Sequence, residues 1–463
     1  MGPRASLPLE EVEGRKKRYR PVEEFSVEWW LILLIIFFSL FFLFTLGVPI
    51  GFAFLLVNMV SVFCLWNGLP GLEQMMLSIF RSVTNFNMLP VPLFILMGEI
   101  IFNSGLAAQS LEALDKWIGK IPGRLSLLAV TGGTLNAALS GSSMASTAML
   151  ASTLYPEMEK RGYDSSMSLG PLLGSGGLAT MIPPSNLGVI LAALAQISVG
   201  DMLIAIVIPG LLLSAVYMLY IVLRCRLQPR LAPIYDTSDQ PWERKMILLL
   251  KYVLPLCSIV FLIIGLIYFG VATPTESAVY GVAGFTGLHL LYNGWKGEVI
   301  KKSLFRTIEI TGMMFIILSA SVTFSEILAY TGGTTKIVEL FASLFSSPLA
   351  IVISMQFILF ILGMFLESLP IMMITVPIFW PVLKLFHINP LWFAAIMLLN
   401  IEIGMISPPF GLSLFVLKGV LPRVTMGKIY RCAVPFVLLQ FIVIALIILF
   451  PSLVLWLPKT MHP

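Results

Sequence analysis

Charge is scarce in this sequence: Asp, Glu, Lys and Arg make up 11% of its 463 residues, against about a quarter in soluble domains. Histidine is scarcer, with only His289, His387 and His462, and cysteine stops at four. Each shortage excludes something. Three scattered histidines cannot build His-Glu-x-x-His, so a membrane-embedded zinc protease is out, and no cluster of Asp with basic residues suits a lipid phosphotransferase. Cys64, Cys225, Cys257 and Cys432 share no zinc or redox spacing. They read as packing residues, three of them in or beside apolar runs. The net charge of +5 sits in short loops and not on a polar domain, so nucleic acid is not a partner.

What remains is apolar. Hydrophobic residues are 58% of the chain and mean hydropathy is +0.95. A single globular core stops growing near ~300 residues, whereas each bilayer crossing consumes roughly 20 apolar residues. Runs such as Leu31 to Leu46, Met202 to Leu223, Val253 to Val271, Ile351 to Phe365 and Cys432 to Leu457 predict an all-α, polytopic membrane protein in contact with lipid. About 10 to 12 crossings are expected at ~20 residues each. The basic residues fall in short clusters, Arg15 to Arg20, Lys160-Arg161, Arg224 to Lys251, Lys296 to Arg306 and Arg423 to Arg431; such clusters mark the cytoplasmic side, the central stretch above all, while the side of the N-terminus stays open. Residues 1–26 form a polar tail, and the run after it is too long for a signal-peptide core, so it is read as retained. Leu31 to Trp66 is either one kinked crossing or two short ones around Gly47-Val48-Pro49.

The basic stretch 224–251 separates a first half, 27–223, from a second, 252–463. The two share punctuation at an offset of 225 residues. Pro156 matches Pro381, Pro183-Pro184 matches Pro408-Pro409, Ser143 matches Ser368 and Leu187 matches Leu412. Two inverted repeats are expected. Each has a re-entrant helical hairpin, at about 136–158 and about 361–383, and then a helix broken by Pro-Pro at 183–184 or 408–409. Proline lacks an N–H and its ring clashes with the preceding turn, so each break leaves free carbonyls before it and free amides after it.

Irregular backbone at membrane depth is tolerated only when it is buried in protein or lines a wet cavity. Paired tips and breaks therefore point to an internal binding site. Carbonyl and hydroxyl oxygens suit sodium, a hard cation, while amides at a restarting helix attract an anion. The expected sodium ligands are Gly141, Ser142, Ser143, Thr180, Glu367, Ser368, Gly404 and Ser407. The expected substrate contacts are Ser140, Ser185, Asn186, Asn400 and Gly411. Glu367 leads because an intramembrane carboxylate is a functional candidate by default; the plainer reading is a structural acid satisfied by hairpin amides. Glu402 is a second such acid, and Glu99 reads as a helix-packing one. Neither tip and neither break carries Lys or Arg.

These segments resemble the large membrane subunit of the TRAP (tripartite ATP-independent periplasmic) transporters. The resemblance rests on Gly47-Val48-Pro49-Ile50, Pro92-Leu93-Phe94 with Met97-Gly98-Glu99, Ser140-Gly141-Ser142-Ser143, Gly162-Tyr163, Ile182-Pro183-Pro184-Ser185, Pro209-Gly210, Gly363 through Glu367-Ser368, and Ile403-Gly404 through Pro408-Pro409-Phe410-Gly411. It covers nearly all the chain after Trp29. It implies sodium-coupled uptake of small organic acids by an elevator mechanism in a bacterial inner membrane. It also implies two partners, a periplasmic substrate-binding protein and a small four-helix membrane subunit, here expected as a separate chain. Two departures stand out: Glu367 where the family often has Asp, and His387 in a turn that usually carries Gly.

The main rival is a stand-alone sodium/carboxylate transporter of related fold that needs no binding protein. A channel would show rings of charge or a filter repeat in place of paired hairpins.

Overall fold

The computed structural model describes residues 29–118, 121–140, 142–233, 241–345 and 347–461, without the side chains of 29, 87 and 137–140. The expected polar tail lies outside them. Within them all regular structure is helical. Helices α1 (Trp29–Thr45) and α2 (Ile50–Leu65) flank a turn in which Gly47 has φ +79°. The rings of Phe37 and Phe54 both pack edge-on against Phe324, with centroids 6.2 and 5.9 Å away. The N-terminal run is thus two short helices folded back on each other, not one kinked crossing. Next come α3 (Leu69–Val83), α4 (Pro90–Ser104) and α5 (Leu106–Trp117). The last two meet at a 64° bend through Gly105, at φ +74°.

Helices α6 (Arg124–Ser140) and α7 (Ser143–Lys160) form the first hairpin, and α8 (Ser165–Gly177) and α9 (Asn186–Leu194) the first broken helix. The first half closes with α10 (Val199–Ala205) and α11 (Val207–Leu227). After the basic stretch, with α12 (Trp242–Leu248), come α13 (Leu254–Tyr268), α14 (Pro274–Asn293), α15 (Gly297–Tyr330) and α16 (Gly333–Leu344). The second hairpin is α17 (Pro348–Phe365) and α18 (Ser368–Leu385), and the second broken helix α19 (Pro390–Met405) and α20 (Leu412–Val420). Helices α21 (Met426–Leu449) and α22 (Ser452–Met461) end the chain.

Six helices among the described residues are long and apolar enough to span a bilayer, or seven if the bent pair counts as one span. The expected ten to twelve allowed ~20 residues per crossing, whereas several apolar helices are shorter than that or bent. The hairpin arms also run beyond the expected 136–158 and 361–383. Gly132 and Gly133 do not stop α6: α8 (Ser165–Gly177) packs so closely there that a Cβ on Gly133 would lie 2.6 Å from Ser175 Cβ.

Around the hairpins and breaks the halves match at the offset of 225. Helices α7 and α18 are both 18 residues and begin at matched serines. Gly162 (φ +74°) matches His387 (φ +52°); both turns need the left-handed backbone, and His387 adopts it without being glycine. Asp164 matches Asn389, and each caps the next helix. Asp164 Oδ1 accepts from Ser166 N at 2.8 Å, and Asn389 Oδ1 from Leu391 N at 3.0 Å. Both Pro-Pro bonds are cis.

Matched positions take part in contacts across the halves. Ser78 donates to Glu326, while its match Ser303 donates to the Glu99 carbonyl at 3.0 Å and receives Asn103 Nδ2 at 3.2 Å. Glu402 touches its own match: a Cβ on Gly177 would lie 2.8 Å from Glu402 Cγ. A residue that touches its own match is what a two-fold relation between the halves would produce.

The hairpins enter from opposite faces. At the base of the first, Asp164 N donates to Leu231 O at 2.8 Å, beside the basic stretch. Trp117 Nε1 likewise donates to Lys245 O at 3.0 Å. Helix α15, 34 residues and therefore about 50 Å long, runs from this face to the other, where Tyr330 meets the Trp66 ring at 5.7 Å. The second hairpin starts from that far end. Past its base, Trp392 Nε1 donates to Ile447 O at 3.0 Å, near the end of α21.

Candidate functional site at the two hairpin tips

Ser142, Ser143 and Met144 of the first tip and Glu367, Ser368 and Leu369 of the second line one cavity of about 280 Å³. Asn186 and Leu187, where α9 restarts, and Met405, where α19 ends, line it too. Two hairpins from opposite faces whose tips share one space stop inside the membrane, as re-entrant elements do. Side chains from the middles of α4 (Ile95) and α15 (Ile310, Met314) close the other wall.

The tips are built locally. Ser142 is the N-cap of α7 and accepts from Ala145 N at 3.4 Å, the role serine plays where a helix begins. Ser143, one residue in, is buried and donates to Glu402 Oε2 at 2.9 Å. Glu367 holds the N-cap position of α18, but its carboxylate caps nothing and is left to the cavity. Ser368 Oγ is buried 3.0 Å from Met405 Sδ.

Other expected residues sit behind this wall. Thr180 Oγ1 donates to Gly177 O at 2.9 Å and Ser407 Oγ to Ile403 O at 2.6 Å. Both hydroxyls are buried at the breaks, with lone pairs still available. Three expectations change. Ser185 does not face the cavity; it is fully buried and caps α9 by accepting from Gly188 N at 3.1 Å. Asn400 is turned to the second hairpin, donating to Gln356 O at 2.5 Å and Oε1 at 2.8 Å, because a buried amide needs partners. Gly404 is a packing point: its carbonyl accepts from Ser407 N at 3.0 Å, and a Cβ there would lie 2.4 Å from Gly363 Cα. Gly411 donates its N–H to Ser407 O at 3.0 Å within the second break. Gly141 and the Ser140 side chain lie outside the described residues.

The structure also adds residues. Thr147, one turn after Ser143 on the same helix, is fully buried, and its Oγ1 has no hydrogen-bond partner among the described residues. It converges with Ser143 O on Gly176, where a Cβ would lie 1.8 Å from the hydroxyl and 3.0 Å from the carbonyl. The i, i+4 spacing from Ser143 was the signal for it. Glu99 and Arg306 line the cavity as well. No local pattern points to Arg306, which a long helix carries in from a distant loop. Among the described residues no three His, Cys, Asp or Glu gather as metal ligands. The donors at the tips are hydroxyl, carbonyl and carboxylate oxygens, a set that fits a hard cation and not a thiolate- or imidazole-seeking metal.

Residues 37–453 match the family described as "Tripartite ATP-independent periplasmic transporter, DctM component". The chain belongs to that family. It is similar to the C4-dicarboxylate TRAP transporter large permease protein DctM of Pseudomonas aeruginosa, 30% identical over 84% of this chain and 90% of that protein. It is also similar to the isethionate TRAP transporter permease protein DctMQ of Oleidesulfovibrio alaskensis, 27% identical over 90% of this chain and 64% of that one. The crystal structure of the YdaH transporter from Alcanivorax borkumensis matches with a TM-score of 0.59 and 16% identity, over 85% of this chain and 91% of that one. That likeness shows the fold alone. As a DctM-type TRAP component, the chain is a multi-pass membrane transporter subunit of a bacterial family.

Proposed function

We propose that the chain is the large subunit of a sodium-coupled importer of small organic acid anions in a bacterial inner membrane. One observation carries this reading: the oxygen-rich tips of both hairpins meet in a single cavity with the start of α9 and the end of α19, between hairpins that enter from opposite faces. The relatives named for a C4-dicarboxylate and for isethionate suggest the substrate class, a carboxylate or sulfonate. The tips have no cation of their own, so an anion would be held by the start of α9, the Ser142 hydroxyl and Arg306. Glu367, Ser143, Thr147 and Thr180 would hold the sodium, which supplies positive charge beside the anion when bound. A hairpin body sliding along α4 and α15 would carry the site from face to face, as an elevator. A separate small four-helix membrane subunit and a periplasmic binding protein complete the assembly; the fused relative DctMQ is consistent with the first.

Reconstitution in proteoliposomes tests this. Uptake of succinate or isethionate should require a sodium gradient, the small subunit and the cognate binding protein, and Glu367→Ala should remove sodium stimulation while still inserting. Uptake by the chain alone would favour the stand-alone transporter, and undiminished sodium stimulation in Glu367→Ala would remove that residue from the cation site.

A further inference from the structure

The cavity at the tips does not end there. A second space of about 470 Å³ adjoins it, sharing Glu99, Ser142, Arg306 and Ile310 and adding Phe102, Asn103, Ala145 and Lys302. Lys302 and Arg306 are one turn apart on α15, so they project from the same face. This end of α15 is held at the basic face. Asn103 Nδ2 bonds Ser303 Oγ at 3.2 Å, and Asn293 Nδ2 bonds the Ser104 carbonyl at 2.9 Å, beside the helix that reaches Lys245 through Trp117. Basic loops lie on the cytoplasmic side, so the tips communicate with the cytoplasm.

On the opposite side the described residues show a separate space. A cavity of about 560 Å³ lies between the far half of α15 (Ser325, Glu326) and the second hairpin (Trp380, Lys384), but no tip residue lines it. Beside it Ser321 Oγ donates to Met373 O at 3.3 Å, and Met88, Ala193 and Leu318 are buried together.

Among the described residues the cytoplasmic vestibule is lined by two cations, Lys302 and Arg306, against one carboxylate, Glu99, whose Oε2 accepts from Asn103 Nδ2 at 3.1 Å. Arg306 is paired with Glu309 at 2.8 Å, but with side chains 57% and 68% exposed, and exposed pairs of this kind are weak. We infer that Lys302 and Arg306 form a second, outer anion subsite that receives the carboxylate or sulfonate of the solute as it leaves the tips for the cytoplasm. This rests on the transport reading for its role, but the subsite is testable without transport. Two cations on a low-dielectric wall raise the local concentration of an anion and lower that of a cation, and an anion one residue beyond the tip has a step at which to shed its contacts.

The test is charge-selective labelling. A cysteine is introduced at Phe102→Cys, and separately on the other wall at Ala145→Cys. Each variant is treated with 2-sulfonatoethyl methanethiosulfonate or with its trimethylammonium analogue, in inside-out and right-side-out vesicles, with the parent protein as background for its native thiols. The expected result is about a tenfold faster reaction with the sulfonate than with the cation, from the cytoplasmic side, abolished by K302Q/R306Q. Equal rates, a preference that survives K302Q/R306Q, or labelling only from the far face would overturn the subsite. Selectivity seen in neutral lipid but lost when phosphatidylglycerol is restored would assign the cations to a lipid headgroup and overturn the solute reading. Anion-selective labelling in a chain whose assembled complex transports nothing would leave the subsite standing and sink the transport reading instead.

Discussion

Ser143 donates its hydroxyl to Glu402 at 2.9 Å, tying the tip of the first hairpin to the helix that leads into the second break. Glu402 is fully buried, and its other oxygen, Oε1, has no hydrogen-bond partner among the described residues. It occupies this place because its repeat match is Gly177, whose missing side chain leaves room for the glutamate. Two glutamates could not share the axis, so the halves differ where they touch.

Glu402→Leu removes the acceptor and strands the Ser143 hydroxyl. Leaving a buried polar group unpaired costs ~1–3 kcal/mol, so initial uptake per inserted protein should fall about tenfold or more. Glu402→Gln keeps an acceptor and should lose much less. Gly177→Ala should resemble Glu402→Leu, since its methyl would displace the glutamate. Wild-type uptake by Glu402→Leu would show the link to be idle.

Ser142→Leu places a branched apolar side chain at the tip, in a cavity of only about 280 Å³. Uptake should cease while the protein remains in the membrane and keeps its thermal stability within a few degrees of wild type. Transport at the normal rate would remove the first tip from the mechanism.

Gly363 and Gly404 bring the second hairpin and α19 into backbone contact. Overpacking costs about 1–3 kcal/mol, so Gly404→Ala and Gly363→Ala should each lower the detergent melting temperature and the yield of folded protein. Unchanged melting in both would mean that the contact yields freely.

Asp164 sits at the base of the first hairpin on the basic face. Partial burial works to raise its carboxyl pKa, but the Ser166 hydroxyl and amide and the charge of Lys428 outweigh it and hold it below the usual range. A depressed native pKa contributes stability that is complete above the ordinary aspartate value of about 3.9 and is lost as pH falls through the native value. Removing such a cap costs ~1 kcal/mol. Melting of wild type and Asp164→Ala should therefore differ at pH 7 and converge below about pH 4. A gap that widens in acid would contradict this sign.

Composition alone determined that the chain lives in a bilayer, because no aqueous core could absorb so much apolar sequence. Proline and glycine punctuation determined the repeat: a breaker acts through its own backbone, so Pro183-Pro184, Pro408-Pro409 and Gly162 could be read where they stand. Local chemistry also placed Ser142, Ser143, Glu367 and Asn186 at the tips and restarts. What it could not decide was which way buried side chains turn. Asn400 and Ser185 found partners inside the protein, and Gly404 was taken up by a backbone contact with a residue about 40 positions away. Arg306, Lys302 and Glu99 reach the tips only because helices far apart in sequence cross there. Only the tertiary structure decided that Glu402 meets its own match, since such an encounter exists only once the two halves have folded around a common axis.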